Sequence, residues 1–131
     1  MFYKRIRAWH KDKKRMYKVN TICFEHDKVS LDGFISWDCN YTDLDIEAYF
    51  SEVILMQESG MVDDRNFNVF EGDIIEFEKE LFRVSYGTYG NSITGTNGFG
   101  WHLAGKEYTI IYVGGGEKVG NIFENPELIT G

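Results

Sequence analysis

Gly72-Asp73-Ile74-Ile75-Glu76-Phe77-Glu78, followed across Lys79-Glu80 by Leu81-Phe82-Arg83-Val84-Ser85-Tyr86, is the stretch that decides the fold. Apolar and polar side chains alternate on both sides of a short polar break. That period of two marks a pair of half-buried strands joined by a tight turn. On this reading Ile75 and Phe77 face a core while Glu76 and Glu78 face water.

The same signature recurs in both directions. Downstream, Gly87 to Gly100 reads as a glycine-rich loop, Glu107 to Val113 as a strand broken by Gly114-Gly115-Gly116, and Val119 to Phe123 as a last strand before Asn125-Pro126. Pro cannot donate to a sheet ladder, so pairing stops there. Upstream, Phe2 to Trp9 and Met16 to Phe24 read as strands around the polar turn His10 to Arg15, with Ile6, Ala8, Tyr17 and Val19 on one buried face. Lys28 to Ile35 alternates as well, with Asp32-Gly33 as a hairpin-turn dipeptide. The spacing of Leu44, Ala48 and Phe50 predicts one short helical turn within residues 42–52, capped by Thr42 or Asp43. Val53-Ile54-Leu55-Met56 then reads as a buried strand, and Trp9, Phe77 and Ile110 as buried side chains.

These elements predict a mostly-β fold with at most one short helix. An N-terminal β-hairpin region packs with a C-terminal small SH3-like barrel or rolled sheet. At 131 residues the chain has the length of a single domain. The polar stretch 59–70 is the only internal boundary, giving sub-domains 1–58 and 67–131. Composition agrees: aromatics make up 16% of the chain, and fourteen Gly stand against one Pro, a balance suited to strands and tight turns.

Charge is unevenly placed. Residues 1–18 carry Lys4, Arg5, Arg7, Lys11, Lys13, Lys14, Arg15 and Lys18 against Asp12, a net +7, whereas the remaining 113 residues sum to −14. A basic segment on an acidic body attracts either a nucleic acid or an acidic protein surface. Tyr3, Trp9 and Tyr17 lie among the cations, a composition that grips single strands by charge and stacking. The overall charge of −7 opposes a polyanion and favours the protein surface.

No chemistry-bearing motif rises above its simpler explanation. Cys23 and His26 are close-spaced, but Cys39, His10 and His102 stand apart, unlike the paired ligands of structural zinc sites. The acids Asp43, Asp45 and Glu47, and Glu76, Glu78 and Glu80, read as solvated faces. Neither Gly95 to Gly100 nor Gly114 to Gly116 continues into Lys-Ser or Lys-Thr, so no phosphate cradle is implied. No Gly-x-Ser-x-Gly elbow surrounds any serine. The expectation is therefore no catalytic, cofactor or metal site, and no enzyme. Two cysteines imply no disulfide framework, the N-terminus lacks an apolar signal core, and no run approaches a membrane span. The cytoplasm is the expected location.

Three segments together resemble the YopX family of bacteriophage and prophage proteins. They are Arg5-Ile6-Arg7-Ala8-Trp9 with Lys14-Arg15-Met16-Tyr17; Val53 to Gln57 with Ser59-Gly60 and then Val69-Phe70-Glu71-Gly72-Asp73-Ile74-Ile75; and Gly120-Asn121-Ile122-Phe123-Glu124-Asn125-Pro126-Glu127-Leu128. The turn Asp63-Asp64-Arg65-Asn66 is more acidic than in the family pattern. The resemblance implies a phage-derived, β-rich chain in a bacterial host with a tendency to self-associate, and it implies no known enzymatic activity. Its motifs look structural, with Trp9 and Tyr17 anchoring the first hairpin and Gly72 opening a strand. The expected function is that of a non-enzymatic oligomeric interaction protein using the eight cations as its contact surface. The alternative is a nucleic-acid-binding small-barrel module using the same arm.

Overall fold

The computed structural model describes residues 6–34, 46–91, 96–106 and 108–129. Among them lie eleven strands, two 3-10 turns and no α-helix. The chain forms two compact units, Met1–Gln57 and Glu58–Gly131.

In the first unit, β1 (Ile6–His10), β2 (Arg15–Cys23), β3 (Lys28–Phe34), β4 (Ile46–Tyr49) and the first half of β5 (Val53–Val62) pair antiparallel in the order β4-β3-β2-β1-β5. Ala8 lies opposite Tyr17 on one side and Leu55 on the other, and Val29 lies between Ile22 and Ala48. Side chains alternate across a strand, so this register gathers Ala8, Tyr17, Val29, Leu31, Ala48 and Val53 into one buried cluster. Phe50, in the 3-10 turn Phe50–Glu52, packs against it.

In the second unit, β6 (Asn68–Phe70) pairs with the second half of β5. The others are β7 (Asp73–Phe77), β8 (Glu80–Asn91), β9 (Thr96–Ala104), β10 (Thr109–Ile111) and β11 (Glu117–Asn121). They form an antiparallel sheet in the order β10-β9-β8-β7-β11. Val69, Ile75, Phe82, Val84, Leu103 and Tyr112 are its buried cluster. The described sheet is open, with β10 and β11 at its edges, and does not close into the barrel that the strand spacing suggested.

Four local expectations fail for identifiable reasons. The helical turn within 42–52 is limited to the 3-10 turn Phe50–Glu52, and the part around Ala48 is instead β4, because Ile46 and Ala48 also fit a period of two and pair with Leu31 and Val29; residues 42–45 lie outside the described residues. Asp32-Gly33 does not turn the chain. It sits inside β3 at a bulge, where Tyr17 faces Phe34 and Lys18 faces Asp32. Reversal comes at Phe24–Asp27, with Asp27 at φ 53°. Within Gly87 to Gly100, residues 92–95 lie outside the described residues, and residues 87–91 and 96–100 are not loop but belong to β8 and β9, where Gly87 faces Gly100 at φ 140° and 144°. A side chain there would be strained although space is open around both.

The fourth failure concerns Phe77. The β7–β8 turn is Glu78-Lys79, both at positive φ, with Phe77 paired to Glu80. Phe77 therefore ends the ladder at the rim of the core and is 37% exposed, whereas Ile75 is fully buried. Trp9 and Ile110 are half-buried. Phe82→Ala should cost about 3–5 kcal/mol and Phe77→Ala less than about 1 kcal/mol in urea melts. Equal losses would place Phe77 inside the core with Phe82 rather than at its rim.

Candidate interaction surface

The β1–β2 turn presents the cations. Lys14 takes φ 54°, and its N–H donates to the His10 carbonyl at 2.8 Å, closing the turn. The Lys13 N–H donates to His10 Nδ1 at 3.1 Å, which assigns the imidazole proton to Nε2. On one side, the Lys11 N–H donates to the Glu52 carbonyl and its Nζ to the Ser51 carbonyl, both at 3.0 Å. Lys11, Lys13, Lys14, Arg15 and Lys18 are all exposed. Arg7 departs from the expected surface: it is 7% exposed, opposite Met56 on β5. Lys4 and Arg5 lie outside the described residues. Of the rings among these cations, Tyr17 is buried and Trp9 half-buried, while Tyr3 lies outside the described residues.

The acids of the second unit gather at its β11 edge. Glu76 and Glu117 face each other directly across β7 and β11, and both are exposed, as are Asp64, Glu78 and Glu80. Like charges in register repel. Arg65 relieves part of this, its Nη1 lying 3.5 Å from Glu117 Oε1.

Two further carboxylates are buried, and the polar turns of this unit are built on them. Asp63 Oδ1 accepts from the N–H groups of Arg65 (3.0 Å) and Phe67 (2.8 Å), and Oδ2 from that of Lys118 (2.9 Å). Burial alone would raise the Asp63 pKa. The three N–H donors and the Arg65 guanidinium outweigh it and hold the carboxyl below its ordinary value. Asp73 Oδ2 accepts from the Phe70 N–H at 2.8 Å and from Lys118 Nζ at 3.1 Å. Burial, with the Asp63, Asp73 and Asp64 carboxylates, pushes the Tyr112 phenol up to about 12, and its hydroxyl donates to the Gly115 carbonyl. Sequence reading saw Asp63 only as part of a polar turn and Asp73 only as the start of a strand. The one signal available was for Asp63, an Asx residue two and four positions before the N–H groups of Arg65 and Phe67.

The third family-like segment works the same way. Asn121 Oδ1 accepts from the N–H groups of Phe123 and Glu124, and Asn125 Oδ1 from that of Asn121. A Cβ on Gly120 would lie 2.4 Å from Asn125 Oδ1, so only glycine fits.

Among the described residues no three His, Cys, Asp or Glu side chains converge as a metal would require. His102 Nδ1 lies 3.0 Å from the Gly100 carbonyl, and Cys39 falls outside the described residues. Asp43 and Asp45 do so too, while Glu47 lies 4.0 Å from Lys28. The Gly114 to Gly116 backbone is used internally, with the Gly115 N–H on the Val62 carbonyl and the Gly116 carbonyl accepting from Asp64. A cleft of about 510 Å³ brings Glu80, Arg83, Lys106 and Tyr108 to one rim, and the Tyr108 hydroxyl donates to Glu80 at 2.6 Å. Its lining includes no Ser, Cys or His. Among the described residues no helix is long and apolar enough to cross a membrane.

The family model described as YopX protein matches residues 5–130, so the chain belongs to the YopX family. No curated protein matches it. Among solved structures, protein EF1440 from Enterococcus faecalis is similar, with a TM-score of 0.65 at 17% identity, over 98% of this chain and 99% of that one. At that identity the likeness concerns the fold alone.

Because its folded pKa is depressed, Asp63 contributes stability that is present above the unfolded value and lost as pH falls through the folded one. Asp63→Ala should cost about 2–4 kcal/mol at neutral pH. It should also flatten the loss of stability that the native chain shows below about pH 4. Urea melts across that range measure both, and an unchanged acid limb would remove Asp63 from the account.

Proposed function

We propose that this YopX-family chain is a phage-derived, non-enzymatic, cytoplasmic interaction protein that works as a homo-oligomer. In it the cations of the β1–β2 turn rest on the acidic surface of a neighbouring subunit. The observation that carries this reading is the pairing of two surfaces on one chain. Lys11, Lys13, Lys14, Arg15 and Lys18 are exposed on one turn and the strand beside it, and Glu76 stands in register with Glu117, with Glu78 nearby. Each surface repels itself and attracts the other, which favours a head-to-tail contact.

Nucleic-acid binding through the same turn ranks second. Among the described residues, Tyr17 is buried and Trp9 half-buried, which leaves little open ring surface beside these cations for single-stranded bases to stack on. The buried acids support a non-enzymatic role too, because the polar contacts of Asp63 and Asp73 fix backbone turns and a lysine.

Sedimentation velocity across a salt series tests the contact. Exposed ion pairs are screened as the Debye length falls from about 10 Å at 0.1 M to about 3 Å at 1 M, so the native chain should move to smaller species over that range. With Lys13, Lys14 and Arg15 all changed to Gln, the salt-sensitive part of assembly should disappear. A native chain whose assembly ignores salt would overturn the reading. So would a triple variant that assembles like the native chain while its oligonucleotide binding loses about three charges of salt slope.

A further inference from the structure

From Val84 to Gly105 the chain runs for 22 residues without one Asp, Glu, Lys or Arg. At the chain's 27% charged content such a stretch would ordinarily carry about six. In their place stand Tyr, Ser, Thr, Asn, Gly, Phe and Trp. That palette combines rigid rings with adaptable hydrogen-bonding groups, and it recurs in surfaces selected to bind proteins. Its described parts, residues 84–91 and 96–104, are the paired strands β8 and β9.

The two faces of the hairpin differ. On one, Tyr89 lies over Gly98, where a Cβ would come within 2.4 Å of its ring, and stacks 4.9 Å from His102. The other continues the core. Val84 faces Leu103, both 1% exposed, and then Tyr86 faces Trp101 and Thr88 faces Phe99. Along that line cover is lost: Tyr86 is 40% exposed and Phe99 68%. The three rings hold one another, with Tyr86 5.4 Å from Phe99 edge-on and 5.1 Å from Trp101. A ring cluster already ordered loses little side-chain freedom on binding.

We infer that this open face packs against the same face of a second copy of the chain. The occupant follows from charge. Two copies at net −7 repel each other, and a two-fold contact lays every residue near its axis against its own counterpart. Any charge there would meet its like. The charge-free hairpin face escapes this, and it offers no ion to recognise a charged partner. The inference rests on the proposed homo-oligomer and names a second surface for it, separate from the cationic turn. Few side chains take part, so the contact is small, in the micromolar class.

The test uses the full chain at about 1 M salt, where exposed ion pairs are screened to about 3 Å and the cationic-turn contact is silenced. A concentration series in sedimentation velocity should still show dimer. Phe99→Asp should weaken it at least ~10-fold, with the urea midpoint of the monomer nearly unchanged because Phe99 is exposed. Thr88→Lys and Thr88→Glu provide a second arm. At low salt, with Lys13, Lys14 and Arg15 also changed to Gln so that the cationic-turn contact is absent, each alone should be impaired through this face, while an equimolar mixture should recover heterodimer. A native chain that stays monomeric at high salt and concentration overturns the inference. So does a folded Phe99→Asp variant that dimerises normally, or a mixture no better than its parts. None of these results touches the salt-sensitive contact, which the Lys13, Lys14 and Arg15 variant reports separately.

Discussion

Lys118 is held between two carboxylates that water does not reach, and the C-terminal unit is organised around that arrangement. Its backbone N–H binds Asp63 at 2.9 Å and its Nζ binds Asp73 at 3.1 Å, while each carboxylate also accepts from the turn beside it. Both Asp side chains are 0% exposed. A buried carboxylate is tolerated only where donors replace its lost hydration. Meeting that requirement fixes the turn at 63–67, the passage from β6 into β7, and the position of the edge strand β11. Arg65 closes the set from outside, its Nη2 donating to the Lys118 carbonyl at 2.7 Å.

The segments that tie the chain to its family do the same structural work. Val69 to Ile75 contains Asp73 and Gly72, the latter at φ 89°; Gly120 to Leu128 contains the Asn121–Asn125 exchange. In both, side-chain oxygens satisfy backbone N–H groups at turns, the work that other chains leave to glycine-rich or proline-rich loops. What remains for recognition is exposed: a cationic turn, an acidic edge and a charge-free hairpin. The first two carry opposite charge and the third carries none.

Much of the fold could be read from the sequence because alternation is a strong signal. The all-β class, the first hairpin and the β7–β8 pair followed from it. The failures share a cause. Asp32-Gly33 fits a bulge as well as a turn, while the actual reversals at Phe24–Asp27 and Glu78-Lys79 place Asp27, Glu78 and Lys79 at positive φ without a glycine. Such turns cost local energy that only tertiary pairing recovers, so the alternation placed the second of them one residue late, at Lys79-Glu80. Leu44, Ile46, Ala48 and Phe50 obey two periods at once, and the partner strand β3 decided between them. The candidate surface was partly legible: five of its eight cations are exposed. The burial of Arg7 depends on β5, a partner nearly fifty residues away along the chain, and the Asp63–Lys118 bond spans fifty-five.

Amide hydrogen exchange tests most directly whether the buried carboxylates hold the C-terminal unit together. The N–H groups of Phe67, Phe70 and Lys118 lie in turns or edge strands, where opening is ordinarily cheap. Each is instead bound by a buried carboxylate oxygen. These three amides should exchange as slowly as that of Phe82 in the centre of the sheet, through global unfolding alone. Exchange at the rate of an ordinary surface turn, with Phe82 still protected, would contradict the account.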